Sequence, residues 1–124
     1  MPKIQNPKCY DLEERTLKFA ERVRDFVKKP FKTLSNLEYG KQLIRASSSI
    51  GANYIEANEC FSKKDFIMRV KICRKESKES RFWLRLIETN YDSLEKEKIF
   101  LTQEATELMK IFGSMVEKLK IKIS

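Results

Sequence analysis

A chain of 124 residues with 41% hydrophobic and 35% charged residues, 3 Gly and 3 Pro reads as one domain, residues 1–124, soluble and mostly helical, and not as a disordered segment. Its Lys and Arg exceed its Asp and Glu by eight, so an anionic partner is expected. No apolar run approaches a membrane span and no apolar leader opens the chain, so a cytoplasmic location, away from membranes, is expected. The complete absence of histidine excludes Ser-His-Asp and Cys-His catalysis and the commonest nitrogen ligand for metals. Gly40, Gly51 and Gly113 stand too far apart for a phosphate loop, and Cys9, Cys60 and Cys73 lack metal-knuckle or disulfide spacing and read as reduced thiols.

The first predicted helix runs from about Leu12 to Lys28, with Asp11 and Glu14 as a capping box. Its apolar stripe is Leu12, Thr16, Phe19, Ala20, Val23, Phe26 and Val27, and Lys29-Pro30 ends it. The second begins after Ser35 or Asn36, with Glu38 completing the cap, and continues through Leu43, Ile44, Ser47, Ile50, Gly51, Tyr54 and Ile55 to about Asn58. Its small residues Ser47, Ser48, Ser49, Gly51 and Ala52 sit in mid-helix, where Gly costs about 1 kcal/mol relative to Ala unless close packing returns it, so another backbone is expected to approach there.

Ser62 and Asp65 stand at capping spacing before Phe66 and open a third helix, which extends to about Glu88. Phe66, Val70, Cys73, Ser77, Ser80, Leu84 and Ile87 form its first stripe. A second stripe, Met68, Ile72, Glu76, Glu79, Trp83 and Leu86, lies beside it. One bundle interior cannot easily absorb both, so the second stripe points to contact with another subunit through Met68, Ile72, Trp83 and Leu86; the alternative is that Trp83 and Leu86 cover the last helix or the loop before it. That loop is predicted over residues 91–100, and the fourth helix from about Gln103 to Lys120. Thr102 is its candidate cap, and Leu101, Ala105, Leu108, Phe112, Met115 and Leu119 form its seam. Short connections between four such helices give an all-α, up-down-up-down four-helix bundle.

Residues 63 to 85 hold nine bases against three acids and so supply most of the net charge of +8. All the bases except Arg69 fall on about a third of the helix circumference, with Phe82 among them. A single-sign row of Lys71, Arg74, Lys75, Lys78, Arg81 and Arg85 with an aromatic that can stack on an unpaired base is an electrostatic footprint for phosphates. Its bland counterpart is a solvated helix face, although solvated faces normally mix signs. If the second and third helices form an antiparallel hairpin, Arg45 falls level with Glu76 and Glu79, and Asn53 and Glu56 fall level with Arg69 and Phe66. Arg45, Asn53, Glu56 and Glu79 then form either a ligand site or, as favoured here, a paired polar network that fixes helix register through an ion pair from Arg45 to Glu79 or Glu76.

The stretch RASSSIGANYIEANECFSKKDF, residues 45–66, followed by RVKICRKESKESRFWLRLIE, resembles the bacterial four-helix-bundle family of 23S rRNA intervening-sequence proteins, with motif matches at Arg45, Ala52-Asn53, Glu56, Ser62, Phe66 and Glu79. Glu76 and Cys73 occupy places where many relatives carry small residues. The resemblance implies a homo-oligomer, including rings of five bundles. It also implies a link to the accessory proteins of diversity-generating reverse transcriptases. The expected function is a non-enzymatic adaptor, without cofactor or metal, whose basic surface binds RNA or DNA through phosphates. The alternative is a protein-interaction module with an acidic partner, and an enzyme working through Glu56 and Glu79 is disfavoured by the missing histidine.

Overall fold

The computed structural model describes the backbone of residues 7–123 and the side chains of residues 12–120. Four helices follow one another as α1 (Pro7–Phe26), α2 (Leu34–Asn58), α3 (Lys63–Leu86) and α4 (Asp92–Ile123), with no strand among the described residues. Each helix runs against the direction of the one before it and packs on its chain neighbours. α2 with α3 and α3 with α4 meet most extensively, whereas α1 rests mainly on α2 and only lightly on α4. This is the expected up-down-up-down four-helix bundle.

The core follows the periodic stripes. Phe19, Val23 and Phe26 of α1, Leu43, Ile50 and Tyr54 of α2, Val70, Cys73 and Leu84 of α3, and Leu101, Leu108, Phe112 and Val116 of α4 are all buried. On α4 the seam passes through Val116, leaving Met115 and Leu119 half-buried at its edge. Buried Ser77 and Ser80 return their hydroxyls to the carbonyls of Cys73 and Glu76, so their small size is used without leaving an unpaired donor. The close approach expected at the waist of α2 is made by α1. A Cβ added to Gly51 would lie 3.0 Å from Thr16 Oγ1 and 3.3 Å from Thr16 Cβ.

Several boundaries differ from the sequence reading. α1 starts at Pro7, where the missing N–H costs nothing, and not near Leu12. The expected capping box at Asp11 and Glu14 therefore lies within the helix, and the Asp11 and Cys9 side chains are outside the described residues. The cap of α2 is Thr33, whose hydroxyl accepts from the Asn36 N–H at 3.1 Å; Ser35 and Asn36 are already helical. Ser62 caps α3 as expected, accepting from the Asp65 N–H at 3.1 Å. The predicted loop over 91–100 is helix from Asp92 onward. Leu94, seven residues before Leu101, is in the core and extends the seam one repeat upstream, and Thr102 is no cap: its hydroxyl donates to Lys98 O at 2.7 Å within α4.

Candidate nucleic-acid interface

Three walls surround the axis of α3. One is the core. On a second side the helix meets α2: Arg69 Nη1 donates to Asn53 Oδ1 at 2.9 Å, and the Cys73 thiol donates to Ile50 O at 3.4 Å. Towards α4, the Arg74 stem lies over Gly113, 3.8 Å from where a Cβ would stand. Between the α4 side and solvent runs the basic row. Lys71, Arg74, Lys75, Lys78 and Arg85 are exposed, and Arg81 is half-buried.

Among the described residues, none of these six cations forms an ion pair within 4 Å. Six cations elsewhere do: Arg15 with Glu104, Arg22 with Glu97, Arg24 and Lys28 with Asp25, Lys41 with Glu38 and Lys110 with Glu107. Six bases thus line one face of α3 with no acid at ion-pair distance among the described residues. At the end of that face, Lys98 of α4 donates to the Ile87 carbonyl at 2.7 Å and to the Arg85 carbonyl at 3.4 Å, adding a cation where the α3 carbonyls are left open. Phe82 stands in the row with 55% of its surface exposed.

The expected paired network around Arg45 is not formed. Arg45, Glu56 and Glu79 are exposed, and no ion pair joins Arg45 to Glu76 or Glu79 among the described residues. The hairpin register is nevertheless the expected one, because Asn53 does face Arg69. The outward rotation of Arg45 and Glu79 about their helix axes, which level alone does not reveal, separates them. Asn53 is half-buried and also donates to Ser49 O at 2.8 Å, so of the four network residues it alone ties two helices together. Glu76 is half-buried between the two faces. Burial, and after it the charge of Glu79, push its carboxyl above the ordinary range, while Lys75 and Arg45 pull the other way.

Of the expected subunit-contact residues, Met68 is exposed, and Ile72, Trp83 and Leu86 are half-buried. Trp83 packs against the core cluster. It stacks on Tyr39 of α2, with ring centroids 5.9 Å apart and an angle of 27°, and meets the Phe82 ring edge-on at 5.1 Å and 73°. Sequence reasoning passed over Tyr39, although its spacing to the core residues Leu43 and Ala46 is helical. It also passed over the bridges that tie α1 to α4. Arg15 and Arg22 each engage a glutamate, Glu104 and Glu97, with two hydrogen bonds of 2.6–3.0 Å, and both the arginines and the glutamates are seven residues apart. That matched spacing was the available signal. No group of three or more Cys, Asp or Glu side chains that could hold a metal occurs among the described residues.

Residues 10–114 match the family model described as 23S rRNA-intervening sequence protein. Among solved structures, the chain is similar to a protein of unknown function from the S23 ribosomal protein family of Bacteroides thetaiotaomicron VPI-5482. The two share 29% sequence identity over 85% of this chain and 97% of that one, with a TM-score of 0.74. No curated protein sequence matches. The matched span takes in the caps of α2 and α3, the Gly51 waist, the whole basic row and the α4 seam as far as Gly113, and with four helices in the same arrangement the chain belongs to the 23S rRNA-intervening sequence protein family.

Proposed function

We propose that the protein is a non-enzymatic, homo-oligomeric adaptor that binds RNA or DNA along the outer face of α3, chiefly through phosphates. The observation that carries this reading is the set of six cations, Lys71, Arg74, Lys75, Lys78, Arg81 and Arg85, without an ion-pair partner within 4 Å among the described residues. A row of uncompensated charge repels itself in the free protein, and a polyanion relieves that repulsion while releasing its own counterions. Exposed Met68, with Ile44 and Ile55 of α2, supplies apolar surface that further copies of the chain would cover. Several rows in one assembly would then act together on a single polynucleotide.

Titration of a labelled RNA hairpin at several salt concentrations tests the reading. Log affinity is expected to fall linearly with log salt, at a little under one unit of slope per phosphate engaged, so about four to five units if the whole row takes part. Absence of binding at low salt, or binding indifferent to salt, would remove the proposal. Saturable binding to an acidic protein, with no affinity for RNA, would replace it with the protein-interaction alternative.

A further inference from the structure

The row of cations is interrupted by one ring. Helical geometry sets Phe82 one turn from Lys78 on one side and one turn from Arg85 on the other, all on the same face. Its exposure of 55% is high for a phenylalanine, and core packing does not require the ring there. Yet the ring is held in place: it meets the edge of Trp83, Trp83 stacks on Tyr39, and Trp83 and Tyr39 both pack against the core. An exposed aromatic surface is thus braced through two further rings to α2, with a lysine below it and an arginine above it. An aromatic that served only to fill the α2–α3 junction would be turned inward, as Trp83 is.

We infer that Phe82 is a stacking platform for an unpaired base, so that the ligand class of the basic row is single-stranded or looped nucleic acid in preference to fully paired duplex. This rests on the nucleic-acid reading above and specifies its ligand. Every base presents a face that can stack on an aromatic ring, whereas in a continuous duplex those faces are already occupied by neighbouring base pairs. Phosphates on either side of the stacked nucleotide fall to Lys78 and Arg85, two turns or about 10.5 Å apart along the helix axis. Trp83, which meets Phe82 directly, and Tyr39, which meets Trp83, act as positioning residues.

The probes are labelled oligouridylate and oligothymidylate of about twelve nucleotides, and an RNA duplex of the same length without unpaired bases. Each is titrated against wild type, Phe82→Leu and Phe82→Tyr. Leu retains an apolar side chain without a π face, and Phe82 is exposed enough for the bundle to fold in both variants, which circular dichroism verifies. Phe82→Leu is expected to weaken single-strand binding about tenfold and duplex binding less than about twofold, and Phe82→Tyr to restore wild-type affinity. Trp83, the only tryptophan in the chain, should report the event, its emission changing with single strands and not with duplex. Comparison of the two single strands separates RNA from DNA as the source of the base. If Phe82→Leu weakens both ligands equally or neither, the stacking platform is refuted while the phosphate reading stands; if wild type binds neither ligand at low salt, both fall.

Discussion

At Gly51 a single hydrogen atom decides the distance between α1 and α2. Thr16 is buried, and its hydroxyl donates to the carbonyls of Leu12 and Glu13 at 2.9 and 3.0 Å, so it has little freedom to move aside for a Cβ at 3.0 Å. Gly51→Ala is therefore expected to destabilise the bundle by about 1 to 3 kcal/mol in urea melts, overpacking outweighing the gain in helix propensity. Gly40→Ala meets nothing nearer than Val27 Cβ at 3.9 Å and is expected to be neutral or stabilising by up to about 1 kcal/mol. The need for close approach at Gly51 was legible from small residues in mid-helix; the identity of the approaching residue was not, because helix rotation is set by packing. Cys73 gives a second residue-scale expectation. Burial pushes its thiol from 9.0 up to about 12. Below pH 9 the thiol is protonated in both the folded and the unfolded chain and adds no pH dependence. Between about 9 and 12 only the unfolded chain releases the proton, so stability contributed by this group is lost over that window. Urea midpoints of wild type should therefore fall more steeply above pH 9 than those of Cys73→Ala, and equal slopes would show that the thiol is not buried in solution.

At the scale of elements, the connections carry as much information as the helices. Asn36 is buried at the start of α2. Its amide nitrogen donates to the carbonyls of Phe31 and Glu88 at 3.0 and 3.1 Å, and its amide oxygen accepts from the Glu88 N–H at 2.9 Å, fastening the end of α3 to the beginning of α2. Asn36→Ala should cost about 1 to 3 kcal/mol and speed amide exchange at Glu88, whereas Ser35→Ala should do neither. The sequence reading used Asn36 as a cap, since Asn fits caps and turns alike and its long-range partners lie 52 residues away. The register of the α2–α3 hairpin was legible for the opposite reason: a short turn and a Ser-Asp cap fix it locally. The first turns of α4 were obscured by the charged run Glu95 to Lys98, which hides the single core residue Leu94 between polar neighbours. The bidentate bridges from Arg15 and Arg22 to α4 stood in plain charge spacing, but only the antiparallel placement of α1 and α4 turns that spacing into contact.

At the scale of the molecule, charge is arranged unevenly. Among the described residues, ion pairs occupy α1, the start of α2 and α4, while the outer face of α3 keeps its cations unanswered, and the proposed function rests on this asymmetry. Arg45 and Glu79 bear on the contrast from the other side: exposed and apart, they contribute little to stability, where a buried pair would have contributed much. The all-α bundle and its basic row could be read from periodicity, because both are properties of one helix projected on itself. Which faces remain open could not, since that depends on how four helices share their surfaces. The most direct measurement is RNA binding by the double variant Arg74→Glu with Lys78→Glu, alongside wild type in low salt, with circular dichroism and light scattering as controls. Both side chains are exposed, so fold and assembly size should be unchanged. Binding of the RNA hairpin is expected to be lost; a double variant that binds as tightly as wild type would contradict the reading of α3 as a nucleic-acid surface.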